Sequence, residues 1–157
     1  MKLCDLLETD KILIDIDIKS KEEAINKLTD LFKKDGRVID IDYLKKAVFE
    51  REKIMSTGVG LGFAIPHAKT NAVNNVIAAF ARSKKSIDFQ SLDGKPVDIF
   101  FLLVGTEAQV GLHIKLLSRI SRLMNRDGFR EKLTSASTPE EIRKLFCDEE
   151  NNFFEIT

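Results

Sequence analysis

Ile12, Ile14, Ile16 and Ile18 alternate with Leu13, Asp15, Asp17 and Lys19, and this period of two, one apolar face against a mostly charged one, predicts a strand over 11–18. Ser20 with Glu23 three residues on has the form of a capping box. Ala24, Ile25, Leu28, Leu31 and Phe32 then recur at helical spacing until Gly36, predicting a helix over about 21–34. A second helix follows, with Asp42 as its expected cap, Leu44, Ala47 and Val48 as its buried stripe and Arg51 at its C-terminal end. Val76 to Ala81, the pair Ile87 and Phe89, and Val97 to Val104 are further apolar runs. The last is apolar on both faces and is expected at the centre of a sheet. Leu112, Leu116, Ile120 and Leu123 predict a helix over about 110–125, and Thr138-Pro139-Glu140-Glu141 opens a final one. Helices early, strands in the middle and helices again predict an α/β fold whose mixed sheet is covered on both faces.

Between the second helix and the central strands lies Ser56-Thr57-Gly58-Val59-Gly60-Leu61-Gly62, with three glycines at alternate positions, which neither a helix nor a central strand favours. Phe63-Ala64-Ile65-Pro66-His67 then reads as a short strand stopped by proline, so that His67 emerges at a strand end.

The chain has 157 residues, the size of one domain, and one domain over 1–157 is expected. Hydrophobic residues form 43% of it, ample for a core. Twenty-five basic residues balance 25 acidic ones, so there is no basic excess to attract nucleic acid or anionic lipid. The longest apolar runs, such as Ile99 to Val104, are far short of the roughly 18 residues that cross a bilayer. The acid-containing N-terminus does not read as a signal peptide, so a cytoplasmic protein is expected, with Cys4 and Cys147 as reduced, structural thiols.

Candidate chemistry narrows quickly. The glycine loop matches neither a Walker A nor a dinucleotide fingerprint, though its amides at Gly58, Gly60 and Gly62 could form an anion nest. Two histidines without clustered cysteines do not make a zinc site, so no metal or cofactor is expected, and there is no Gly-x-Ser-x-Gly elbow. His67, after its glycine loop and proline, is either a functional side chain presented by a rigid sheet or the start of a surface loop. His113 shares a helix face with Leu116, Leu117 and Ile120, which suits a hydrogen-bonded core histidine. Arg51 alone reads as a solvated helix end, and Arg119, Arg122 and Arg126 as a solvated face. The readings of His113 and Arg51 change if both side chains converge on His67.

Arg51 to His67, Arg-Glu-Lys-Ile-Met-Ser-Thr-Gly-Val-Gly-Leu-Gly-Phe-Ala-Ile-Pro-His, resembles the active-site signature of bacterial phosphotransferase-system enzyme IIA of the fructose, mannitol and nitrogen-regulatory type. Pro96 to Val104, followed by His113 to Ile120, is similar to that family's second block, so the likeness covers nearly the whole chain. The resemblance implies a three-layer α/β/α sandwich and a phosphohistidine carrier that needs no nucleotide. It implies that His67 is the phosphorylated residue, His113 the second active-site histidine and Arg51 the arginine beside the phosphoryl group. The donor would be the histidine phosphocarrier protein. The acceptor would be a IIB domain in sugar uptake or, in the nitrogen-type alternative, phosphorylation would control binding to a regulated protein. Leu61 departs from the pattern, since many members carry a polar residue there.

Overall fold

In the computed structural model, which describes residues 1–154, the elements run α1 (Leu3–Leu6), a single 3-10 turn (Thr9–Lys11), β1 (Ile12–Ile16), α2 (Lys21–Asp30), α3 (Ile41–Ile54), β2 (Gly58–Gly60), β3 (Phe63–Ala64), β4 (His67–Lys69), β5 (Ile77–Ile87), β6 (Val97–Gly105), α4 (Val110–Met124), α5 (Phe129–Ser135) and α6 (Pro139–Phe154). The six strands form one mixed sheet, ordered β1-β5-β6-β3-β2, with β4 also paired to β6. β5 and β6 are antiparallel, while β1 runs parallel to β5, and β3 and β4 run parallel to β6.

Side-chain alternation along β5 and β6 divides the core in two. Ala78, Phe80, Ile99, Phe101 and Leu103 face α1, α4, α5 and α6, whereas Ile77, Ala79, Ala81, Phe100, Leu102 and Val104 face α2 and α3. This is the expected α/β/α sandwich with β6 at its centre. A strand covered on both faces must be apolar at every position, and Ile99 to Val104 is.

Four local expectations are corrected. β1 stops at Ile16 because Asp15 takes a positive φ of 54° and the register with β5 slips there. The first long helix ends at Asp30 and Leu31 begins a turn. Asp40, not Asp42, caps α3, its carboxylate accepting the Tyr43 amide at 3.1 Å. The two apolar stretches read between 76 and 89 fall largely in one strand, β5, whose exposed Lys84 and Lys85 lie where its register with β6 slips between Arg82 and Ile87.

The expectation of free thiols is also overturned, for Cys4 and Cys147 are joined by a disulfide with their Cα atoms 5.1 Å apart. A separation of 143 residues hides that pairing in the sequence. Packing of α1 on α6 creates it, because Leu3, Leu6 and Leu7 are buried beside Phe146. The Glu150 carboxylate reinforces the junction, accepting the amides of Leu3 at 2.7 Å and Cys4 at 2.8 Å. No helix among the described residues is long and apolar enough to cross a membrane.

Candidate functional site

Proline decides where His67 sits. Pro66 has no N–H to give, so the extended chain that starts as β3 against Ile99 and Phe100 is interrupted and resumes as β4 against Leu103, Val104 and Gly105. His67 therefore opens a short strand instead of closing one. Its backbone is held from both sides, with the Pro66 carbonyl accepting the Leu103 amide at 3.1 Å and the Thr70 amide reaching the Gly105 carbonyl at 2.9 Å.

The His67 ring is oriented by its own chain. Nδ1 lies 2.7 Å from the carbonyl oxygen of Ile65, and since a carbonyl only accepts, Nδ1 carries the proton and Nε2 keeps its lone pair. Burial pushes the His67 pKa below its ordinary 6.5. The Ile65 hydrogen bond works against that shift, as does Glu52, while the nearby charges of Arg51 and Lys69 add to it. At neutral pH the ring is an uncharged imidazole with one bare nitrogen, which is the form a nucleophile needs.

His113 comes from the first turn of α4 and is only 3% exposed. Its ring centroid is 5.6 Å from that of His67, the planes inclined at 47°. Burial, then the charges of His67 and Lys69, push its pKa down to about 4, so it too is neutral. Nδ1 of His113 has no hydrogen-bond partner among the described residues. A buried N–H without an acceptor is disfavoured more than a bare lone pair, which puts the proton on Nε2. Gly105 makes room for this ring, since a Cβ at that position would stand 2.9 Å from Nδ1 of His113.

Arg51 reaches the same place from the last turn of α3, donating from Nη1 to the Met55 carbonyl at 2.9 Å. His67, His113 and Arg51 together line a cleft of about 640 Å³, with Lys46, Lys69 and Glu107 among its other walls. The three residues that the sequence suggested separately are thus brought to one cavity. The glycines are not. Gly58, Gly60 and Gly62 belong to the β2–β3 hairpin at the other end of β6, packed against Ser91, Asp93 and Asp98, and none lines the cleft. Gly60 and Gly62 adopt φ of +108° and +83°, so backbone shape and close packing account for them.

Sequence reasoning missed Glu52 and Lys69. Glu52, 5% exposed, accepts the Thr57 amide at 2.9 Å and the Thr57 hydroxyl and pairs with Lys21 at 2.9 Å, which ties the end of α3 to the strand entry. Nothing in its spacing announced that. Lys69 was detectable, because it lies two positions after His67 on an extended segment and so shares its face. No cluster of metal-ligating side chains occurs among the described residues.

Against known proteins, residues 5–149 match the family described as "Phosphoenolpyruvate-dependent sugar phosphotransferase system, EIIA 2". The chain is 39% identical over 142 residues to the fructose-specific EIIABC component of Bacillus subtilis, a match that spans 90% of this chain and 22% of that protein. To the fructose-specific EIIA component of Haloferax volcanii it is 40% identical over 129 residues, covering 82% of this chain and 84% of that one. The crystal structure of the nitrogen regulatory protein IIA-Ntr from Neisseria meningitidis superimposes with a TM-score of 0.87 at 30% identity, over 92% of this chain and 98% of the other.

Proposed function

The chain belongs to the EIIA 2 family of the phosphoenolpyruvate-dependent sugar phosphotransferase system, a family of phosphohistidine-carrying phosphotransferases, and from that premise we propose that His67 is its phosphoryl carrier, with His113 and Arg51 as the groups that meet the phosphoryl oxygens. The observation that carries this reading is the Nδ1 to Ile65 hydrogen bond, which leaves Nε2 as the one nitrogen of His67 with a free lone pair.

In this mechanism a phosphohistidine donor, the histidine phosphocarrier protein, presents its phosphoryl group in the cleft. The Nε2 lone pair of His67 forms the new P–N bond as the donor's P–N bond breaks, and the electron pair of that bond returns to the donor ring. No proton need leave His67. The Nε2–H of His113 donates to an equatorial phosphoryl oxygen, and the Arg51 fork supplies positive charge beside it. Such transfer rests on positioning and charge stabilisation, which neutral rings and one guanidinium can provide without metal or nucleotide. The acceptor is a IIB domain of a fructose-type uptake system, as the names of the fructose-specific relatives suggest. The nitrogen-type reading, in which phosphorylation controls binding to a partner protein, rests on the Neisseria likeness. We place the chain in the cytoplasm, where its donor is; the Cys4–Cys147 bond is the one feature that this compartment disfavours.

The test is phosphorylation of the purified chain by phosphoenolpyruvate, enzyme I and the histidine phosphocarrier protein. Acid-labile label on wild type and none on His67→Ala is expected. Unlabelled wild type beside an active phosphocarrier would overturn the proposal.

A further inference from the structure

The cations that line the cleft differ in how they are engaged. Lys46 faces Glu50 one helical turn away, at 3.9 Å, and Arg51 is tied to the Met55 carbonyl. The Lys69 side chain is exposed and makes no hydrogen bond or ion pair among the described residues. It nevertheless stands on the rigid part of the site. β4 is pinned to β6 at all three of its positions, and Lys69 lies opposite Gly105, the residue that accommodates the His113 ring.

A strand rises about 3.3 Å per residue, so Cα atoms two apart on one face are about 6.6 Å from each other, and a four-carbon lysine stem spans that distance. Resting on the carrier function argued above, we propose that Lys69 is the cleft's uncommitted cation, which swings onto the phosphoryl group of His67 and sets how strongly this protein holds it. Arg51 supplies a fixed charge and Lys69 a movable one. A fixed cation stabilises the transferring group throughout. A flexible, exposed ammonium pairs with the two formal charges that persist on the phosphorylated ring, and it is released when a docking partner displaces it. A carrier must both accept and give, and a separable charge serves that better than a second guanidinium.

The experiment compares wild type with Lys69→Met, Lys69→Arg and Lys69→Glu as full chains, following the phosphoryl-transfer equilibrium with the phosphorylated histidine phosphocarrier protein. One charge of this exposure is expected to shift that equilibrium against His67 by about tenfold in Lys69→Met, and by more in Lys69→Glu. Lys69→Arg is expected to stay within twofold of wild type.

Titration of the unphosphorylated rings by NMR gives a readout that a merely structural role would not move. The charged groups around His67 are Arg51 and Glu52 from α3, Lys69 from β4 and, on the cleft walls, Lys46, Glu50 and Glu107, with the neutral His113 ring facing it from α4. Lys69 lowers both histidines, so loss of its charge must raise both pKa values. Labelled wild type with Lys69→Met at the same equilibrium and unshifted histidines would overturn the role of Lys69 alone. Unlabelled wild type would overturn the carrier reading with it.

Discussion

At the junction of α1 and α6, the 1% exposed Glu150 accepts two backbone amides and meets Arg119 Nη1 at 3.4 Å, and a disulfide closes the same contact. In the cleft between α3, β4 and α4, neither ring nitrogen of the almost equally buried His113 nor the Lys69 ammonium has a partner among the described residues. Both regions place polar groups beside apolar core. Saturation at the first marks a fastening, since an unmet buried carboxylate would cost more than the fold can spare. Unmet capacity at the second marks a place arranged for something that arrives later. Arg82 belongs with the first kind, its guanidinium being spent on the carbonyls of Leu133 and Ala136 at the end of α5 and on Asp15.

The contrast breaks most visibly at Glu150. Glu150→Ala strips two buried amides and Arg119 of their acceptor and should cost about 3 kcal/mol of stability, read from urea unfolding, while the fraction that stays folded phosphorylates at the wild-type rate. Loss of transfer with unchanged stability would remove the distinction between the regions. His113→Ala should do the reverse. It removes one donor to the phosphoryl group and is expected to slow phosphorylation about a hundredfold, equivalent to about 2.7 kcal/mol of activation free energy, with a smaller effect on unfolding.

The smallest effect concerns pH. His113 in the folded chain titrates at about 4, down from its ordinary 6.5, so between those values the unfolded chain binds more protons. Its contribution to stability is complete above about pH 6.5 and is lost progressively as pH falls towards 4. The melting temperature of wild type should therefore fall more steeply over that interval than that of His113→Gln, and parallel curves would contradict the depressed pKa.

Much of this was legible along the chain. Residues 99–104 announce a buried central strand because covering both faces leaves no polar position, and Ser20 with Glu23 announces a helix start because two amides there need acceptors. The local pattern Pro66-His67 already presents a histidine from extended backbone, since proline acts through its immediate neighbours.

Only the tertiary structure could decide the rest. That Asp40 caps α3 in place of Asp42, two residues on, turns on which carboxylate meets the Tyr43 amide. The glycines looked like an anion nest, but they lie at the far end of β6, because β3 and β4 pair with different halves of that strand. The Ile65 carbonyl that orients His67, the gap at Gly105 that admits His113, and the Cys4–Cys147 bond all join atoms through space. Short-range periodicity and steric preference are properties of neighbours in the chain and so can be read from it. The burial that keeps both histidines neutral, and the pairing that spends Glu150 while sparing Lys69, are properties of neighbours in space, which exist only once the sheet and its helices have closed.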